Sequence, residues 1–109
     1  MSLFFPTPDE CSRHAIFPGV RVLTCAADKM MMSLAKLEPH AVVEEHHHPH
    51  EQVGMVVKGR ARFCIGGEEK LLQAGDFYRI PGNVAHKVIA LDEPVEALDI
   101  FYPIREDYR

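Results

Sequence analysis

His46-His47-His48-Pro49-His50-Glu51-Gln52-Val53 gathers four of the chain's seven histidines. In an extended strand successive side chains alternate between faces, so His46 and His48 would share one face and His47 the other. Two imidazoles on one face at that spacing can meet a single cation. A histidine-rich surface turn beside Pro49 is the plain alternative. The residues downstream bear on the choice through their spacing. Gly59 lies seven positions after Gln52, Gly75 leads to Pro81 across five residues, and His86 stands five positions beyond Pro81.

Around this stretch the chain is broken into short pieces by Gly19, Glu38-Pro39, Lys58-Gly59, Gly66-Gly67, Ala74-Gly75-Asp76, Pro81-Gly82-Asn83 and Asp92-Glu93-Pro94. Between the breaks lie segments rich in Val, Ile, Leu and aromatics, at 20–24, 30–37, 53–58, 61–65, 70–72, 77–80, 86–91 and 95–102. Short strands at about ten-residue spacing with turn residues between them predict an all-β sandwich or barrel. Gly66-Gly67 suits a two-residue hairpin turn. Met30, Met31 and Met32 read as a strand straddling the core. No segment sustains a 3.6-residue apolar repeat, and no internal repeat is visible, so a single domain over 1–109 is expected.

Composition narrows the function. Of 109 residues, 47% are hydrophobic and 26% charged, the usual globular mix. Twelve basic residues stand against 16 acidic ones, a net charge of −4, with no basic block to neutralise phosphates. Nucleic acid is therefore not an expected partner. No apolar run approaches bilayer length, and the start lacks the basic and apolar regions of a secretory leader. Cys11, Cys25 and Cys64 are odd in number and far apart, which reads as three free thiols in the cytoplasm.

The spacing from His46 to His86 resembles the two signature motifs of the cupin family, G-x5-H-x-H-x3,4-E-x6-G and G-x5-P-x-G-x2-H-x3-N, placed here at about 40–59 and 75–90. The resemblance implies a double-stranded β-helix, the jelly-roll barrel of cupins, and a metal held by His46, His48, Gln52 and His86. The chain departs from the pattern at three places. Gln52 stands where the family has Glu, with Glu51 one position early as the alternative ligand. Asn83 takes the usual glycine position, and Asn tolerates positive φ better than most residues. Ala90 replaces the terminal Asn. The metal would be a divalent transition ion such as Zn, Ni, Fe or Mn, and four neutral ligands would leave its charge uncompensated, making it a stronger Lewis acid.

The last strand carries a second set of residues. Asp99 lies between Leu98 and Ile100, and a carboxylate in an apolar strand is costly unless paired or facing a wet cavity. It reads either as a general acid/base near the metal or as a satisfied structural Asp. His46-x-His48-Pro49-His50-Glu51-Gln52-Val53 together with Asp99-x-Phe101-x-Pro103-x-Arg105-Glu106-Asp107 looks like the KdgF-type cupins, whose metal is held by three His and a Gln. That resemblance implies an isomerase-like enzyme converting unsaturated uronate monosaccharides into linear ketonised sugars. Asp99, Phe101 and Arg105 would be its catalytic residues: Asp99 moving the proton, Phe101 packing on the sugar, Arg105 binding the carboxylate. A plain reading of Arg105 is a solvated charge near the chain end. Because the protein is acidic, Arg105, Arg79 or Lys87 must attract an anionic substrate locally. An iron-bound cupin dioxygenase and a non-catalytic sugar- or metal-binding cupin are the alternatives. Small cupins are commonly homodimers, and the apolar Leu3-Phe4-Phe5 either exchanges with a partner or covers the chain's own core.

Overall fold

The alternation of large apolar and polar residues between turn signals produces ten strands in a computed structural model that describes residues 2–109. They are β1 (Ser12–Phe17), β2 (Val20–Ala26), β3 (Met31–Leu37), β4 (Val42–His46), β5 (Glu51–Lys58), β6 (Arg60–Ile65), β7 (Glu68–Gln73), β8 (Phe77–Ile80), β9 (His86–Ala90) and β10 (Val95–Tyr102). Two short 3-10 turns, Pro8–Glu10 and Glu106–Tyr108, flank them. The strands pair antiparallel into a six-stranded sheet ordered β1-β2-β3-β10-β5-β8 and a four-stranded sheet ordered β4-β9-β6-β7. This is the expected all-β double-stranded β-helix. Among the described residues no helix is long and apolar enough to cross a membrane.

Period-2 alternation sets what faces inward. In β10, Val95, Ala97, Asp99 and Phe101 are buried while Ile100 and Tyr102 are exposed. Met31 is 1% exposed between Met30 at 49% and Met32 at 47%, as a strand straddling the core requires. In β8, Tyr78 and Ile80 turn inward and Phe77 and Arg79 outward. Arg79 therefore cannot serve a site inside the barrel. Two apolar clusters result, one around Val56, Ala61, Phe63 and Val95, the other around Val22, Met31, Phe101 and Tyr108. A cavity is lined from both.

The C-terminal segment closes one side of that cavity. Ile104, Arg105 and Tyr108 are buried, and the Tyr108 carbonyl accepts from His14 Nε2 at 2.9 Å and Thr24 Oγ1 at 2.5 Å. The chain end is thus bonded to β1 and β2. Leu3, Phe4 and Phe5, by contrast, are 79–89% exposed and do not cover the chain's own core.

Gly66 and Gly67 join β6 to β7 with φ of 57° and 85°, the left-handed pair a two-residue hairpin needs. Asn83 holds φ 66° after β8, the conformation its substitution for glycine requires. Its N–H donates to the His48 carbonyl at 2.7 Å. Beside it, a Cβ on Gly82 would meet the Pro49 carbonyl oxygen at 2.5 Å, so only glycine permits the approach. The two motifs, far apart in sequence, are clasped together here by backbone.

Two strands lie outside the segments that the sequence pattern marks. No residue of β1 or β4 is fully buried, and the exposed Glu44 and Glu45 leave β4 without an alternating apolar face. Contrary to the strand expectation, His46 and His48 are not alternate residues of one strand: β4 stops at His46, and His48 sits in the irregular segment before Pro49. A residue preceding proline is pushed to extended geometry, and proline has no N–H to continue a ladder.

Candidate metal centre

His46 ends β4 and His86 begins β9, and the register sets them directly opposite each other. Their ring centroids are 4.3 Å apart. His48 reaches the same place from the clasped segment, its ring 4.9 Å from His86 and edge-on to it. One nitrogen from each of the three lies within 4.8 Å of the others, close enough to hold one ion. His47 points away and is exposed.

Each imidazole is aimed by a backbone carbonyl. His46 Nδ1 bonds the Glu44 carbonyl at 2.8 Å, His86 Nδ1 the Val84 carbonyl at 2.8 Å, and His48 Nδ1 the His50 carbonyl at 3.1 Å. A carbonyl only accepts, so each Nδ1 carries the proton and each Nε2 presents a lone pair to the common point. His50 contributes its backbone, and its own Nδ1 is buried without a partner.

Gln52, buried on β5, approaches from the other sheet. Its Nε2 donates to Asp99 Oδ1 at 3.0 Å, which turns its Oε1 toward His48 Nε2 at 3.1 Å. Two lone pairs then face each other. A protonated imidazole would resolve the clash, but burial, with help from the nearby Arg105 charge, pulls His48 down to about 4. A cation between them resolves it, and the donor set of three imidazoles and an amide oxygen fits a divalent transition metal. Glu51, the alternative ligand, faces outward and is exposed.

Asp99 is 7% exposed and sits in one row with Gly54 and Tyr78 across β10, β5 and β8. Gly54 has no side chain, and through that gap the Tyr78 hydroxyl donates to Asp99 Oδ1. A Cβ on Gly54 would lie 2.5 Å from both the Asp99 carboxylate and the Tyr78 hydroxyl. Burial pushes the Asp99 carboxyl above the usual range, while the bonds from Tyr78 and Gln52 and the charge of Arg105 pull the other way. Burial and the adjacent Asp99 charge raise the Tyr78 phenol well above its ordinary value. Both hydrogen bonds fall on Oδ1, leaving Oδ2 free for a ligand.

Phe101 is 3% exposed and packs edge-on against His48 at 5.6 Å. Arg105 is also buried, its guanidinium 3.8 Å from the Tyr108 ring centroid and 5.2 Å from that of Phe101. It is not a solvated charge. Nor is it free: Nε and Nη2 bond the two Asp107 oxygens at 3.2 and 2.7 Å. The cavity into which these groups look has a volume of about 60 Å³, whereas small-molecule pockets usually span about 300–1,000 Å³.

Tyr78 and Gly54 were not among the residues the sequence singled out, and Asp107 stood in the C-terminal string without a role. Gly54 carried a signal, since a glycine inside a strand marks close approach of another group. Nothing in the sequence distinguished Tyr78.

Residues 33–101 match the Cupin domain family. The chain is 32% identical over 102 residues to the pectin degradation protein KdgF of Dickeya dadantii (strain 3937), covering 92% of this chain and 93% of that one. It is also 32% identical over 100 residues to H2HPP isomerase of Bacillus subtilis, covering 90% of this chain and 41% of that protein. The structure of KdgF from Halomonas sp. superposes with a TM-score of 0.82 at 29% identity, covering 93% of this chain and 94% of that one.

Proposed function

The chain belongs to the cupin family, and from that premise we propose that it is a metal-dependent isomerase-like enzyme that converts unsaturated monouronates into linear ketonised sugars. The similarity to KdgF over nearly the whole chain supports this reading. The observation that carries it is the bond from Gln52 to Asp99. A carboxylate in the position of Gln52 would repel Asp99 at 3.0 Å, whereas the amide bonds it. The neutral ligand and the buried acid therefore come as a set.

In this reading Nε2 of His46, His48 and His86 and Oε1 of Gln52 hold the metal, with Zn, Ni, Fe and Mn all suited to the set. When bound, it supplies a Lewis acid for the sugar oxygens. Asp99 Oδ2 takes the anomeric hydroxyl proton as the bond from the anomeric carbon to the ring oxygen breaks and that oxygen leaves as an enolate. It then delivers the same proton to the alkene carbon as the enolate becomes a ketone. Substrate and product are isomers, so the proton count closes. Arg105 binds the uronate carboxylate, and Phe101 forms the apolar wall against the sugar. The exposed Leu3-Phe4-Phe5 segment goes with a homodimer, which sedimentation tests.

Purified, metal-loaded protein is expected to remove the conjugated absorbance of unsaturated galacturonate faster than buffer. Asp99→Asn is expected to keep its metal and lose this activity. Unchanged activity in that variant overturns the mechanism, and no turnover by the parent protein overturns the substrate class.

A further inference from the structure

Cys11 and Cys25 are separated in sequence by a hairpin that brings them back together. β1 and β2 pair antiparallel, with Ser12 opposite Thr24 as the outermost pair. Cys11, just before β1, keeps an extended backbone (φ −93°, ψ 162°), so continuing that register by one residue sets it against Cys25. Thr24 and Val22 are buried, so Cys25 projects from the outer face of the sheet with Arg21 and Leu23. Arg13 stands opposite Leu23 on that face, which places Cys11 on it as well. Both cysteines are half-buried. The Cys11 thiol donates to the Thr7 carbonyl at 3.5 Å. Burial and then the neighbouring Cys25 raise it above its ordinary value. Opposed residues in an antiparallel pair have Cα atoms about 4.5 to 5.5 Å apart, inside the 4.4–6.8 Å range of disulfides.

We propose that Cys11 and Cys25 are a reversible disulfide site, closed by a hydroperoxide and opened by a dithiol. In the closing step the two S–H bonds and the peroxide O–O bond break and an S–S bond forms. With hydrogen peroxide, two electrons pass from the sulfurs to the peroxide oxygens, which leave as two waters. A dithiol returns the electrons and protons and becomes a disulfide itself. The bond fastens the edge strand β1 to β2, and β1 also carries His14, whose ring bonds the Tyr108 carbonyl. The site lies on the outer face and is independent of the reaction assigned to the barrel interior.

The test is mild hydrogen peroxide treatment of the folded, reduced chain, followed by thiol titration in denaturant and mass spectrometry. Thiols are expected to fall from the three free cysteines to one, with the mass lower by two hydrogens. Trypsin cuts after Arg13 and Arg21, so the digest should contain a Cys11–Cys25 linked peptide pair that a dithiol separates. Cys64→Ser should retain the link and Cys25→Ser should lack it. Three surviving thiols under conditions that consume an exposed thiol standard, or oxygen added to either sulfur without a cross-link, overturns the proposal.

Discussion

Tyr78 and Asp99 lie on strands that are not neighbours, and they hydrogen-bond through the space left by the absent side chain of Gly54 on the strand between them. The phenol can only donate to the carboxylate, because burial and that carboxylate keep its proton in place. It therefore fixes one Asp99 oxygen and leaves the other without a hydrogen bond from either neighbour.

Tyr78→Phe removes this donor and leaves the ring in the core. Kinetic analysis of the uronate reaction is expected to show kcat lower by roughly tenfold or more with KM little changed. Thermal unfolding should register a loss of about 1–3 kcal/mol from the lost hydrogen bond to a buried carboxylate, which keeps only its Gln52 donor.

Gly54→Ala introduces a methyl where the two polar groups meet. Gly54 sits on a strand flanked by β10 on one side and β8 on the other, so the side chains must yield. The expected result is a destabilisation of about 1–3 kcal/mol and loss of activity with metal content unchanged. A variant as active as the parent would show that the row is not needed.

Gln52→Glu gives the usual carboxylate of the family. A negative ligand attracts the cation more strongly, by about 1–4 kcal/mol for a pair at contact distance, so competition with a chelator should show tenfold tighter metal binding or more. The same charge repels Asp99 and removes its amide donor. Turnover is expected to fall while affinity rises, opposite signs that separate this variant from a merely unfolded one.

Chelation should lower the unfolding temperature of the metal-loaded protein. Metal at 100 times its dissociation constant stabilises the native state by about 2.7 kcal/mol. In His86→Ala, which lacks one of the three converging imidazoles, the difference with and without chelator should largely vanish.

Asp107 occupies the guanidinium face that a substrate carboxylate would take. Asp107→Asn is expected to lower KM several-fold for the uronate with kcat little affected, and Arg105→Ala to raise it. Steady-state kinetics of both variants checks the pair.

The readable part of this site was the part whose partners stand at fixed distances along the chain. His46, His48 and His86 announced themselves by residue type and spacing, and Asn83 by its tolerance of positive φ. Gly66-Gly67 specified its turn locally. Asp99 was conspicuous as a charge in an apolar strand, yet its donor was not, because the Tyr78–Gly54–Asp99 row depends on the register of three strands. Arg105 read equally as a site residue or as a solvated terminal charge, and its burial against Phe101 and Tyr108 depends on a fold of the chain end that spacing does not encode. β4 escaped notice because its exposed glutamates erase the pattern that burial normally writes.

The carbonyls of Glu44, His50 and Val84 have a consequence for the choice of ion. They grip the three rings at Nδ1, away from the converging nitrogens, so the fold itself sets the spacing of the donors. Three imidazoles and an amide oxygen at that spacing suit several divalent transition ions. Loading the intact protein with each ion in turn is the direct way to learn which of them works.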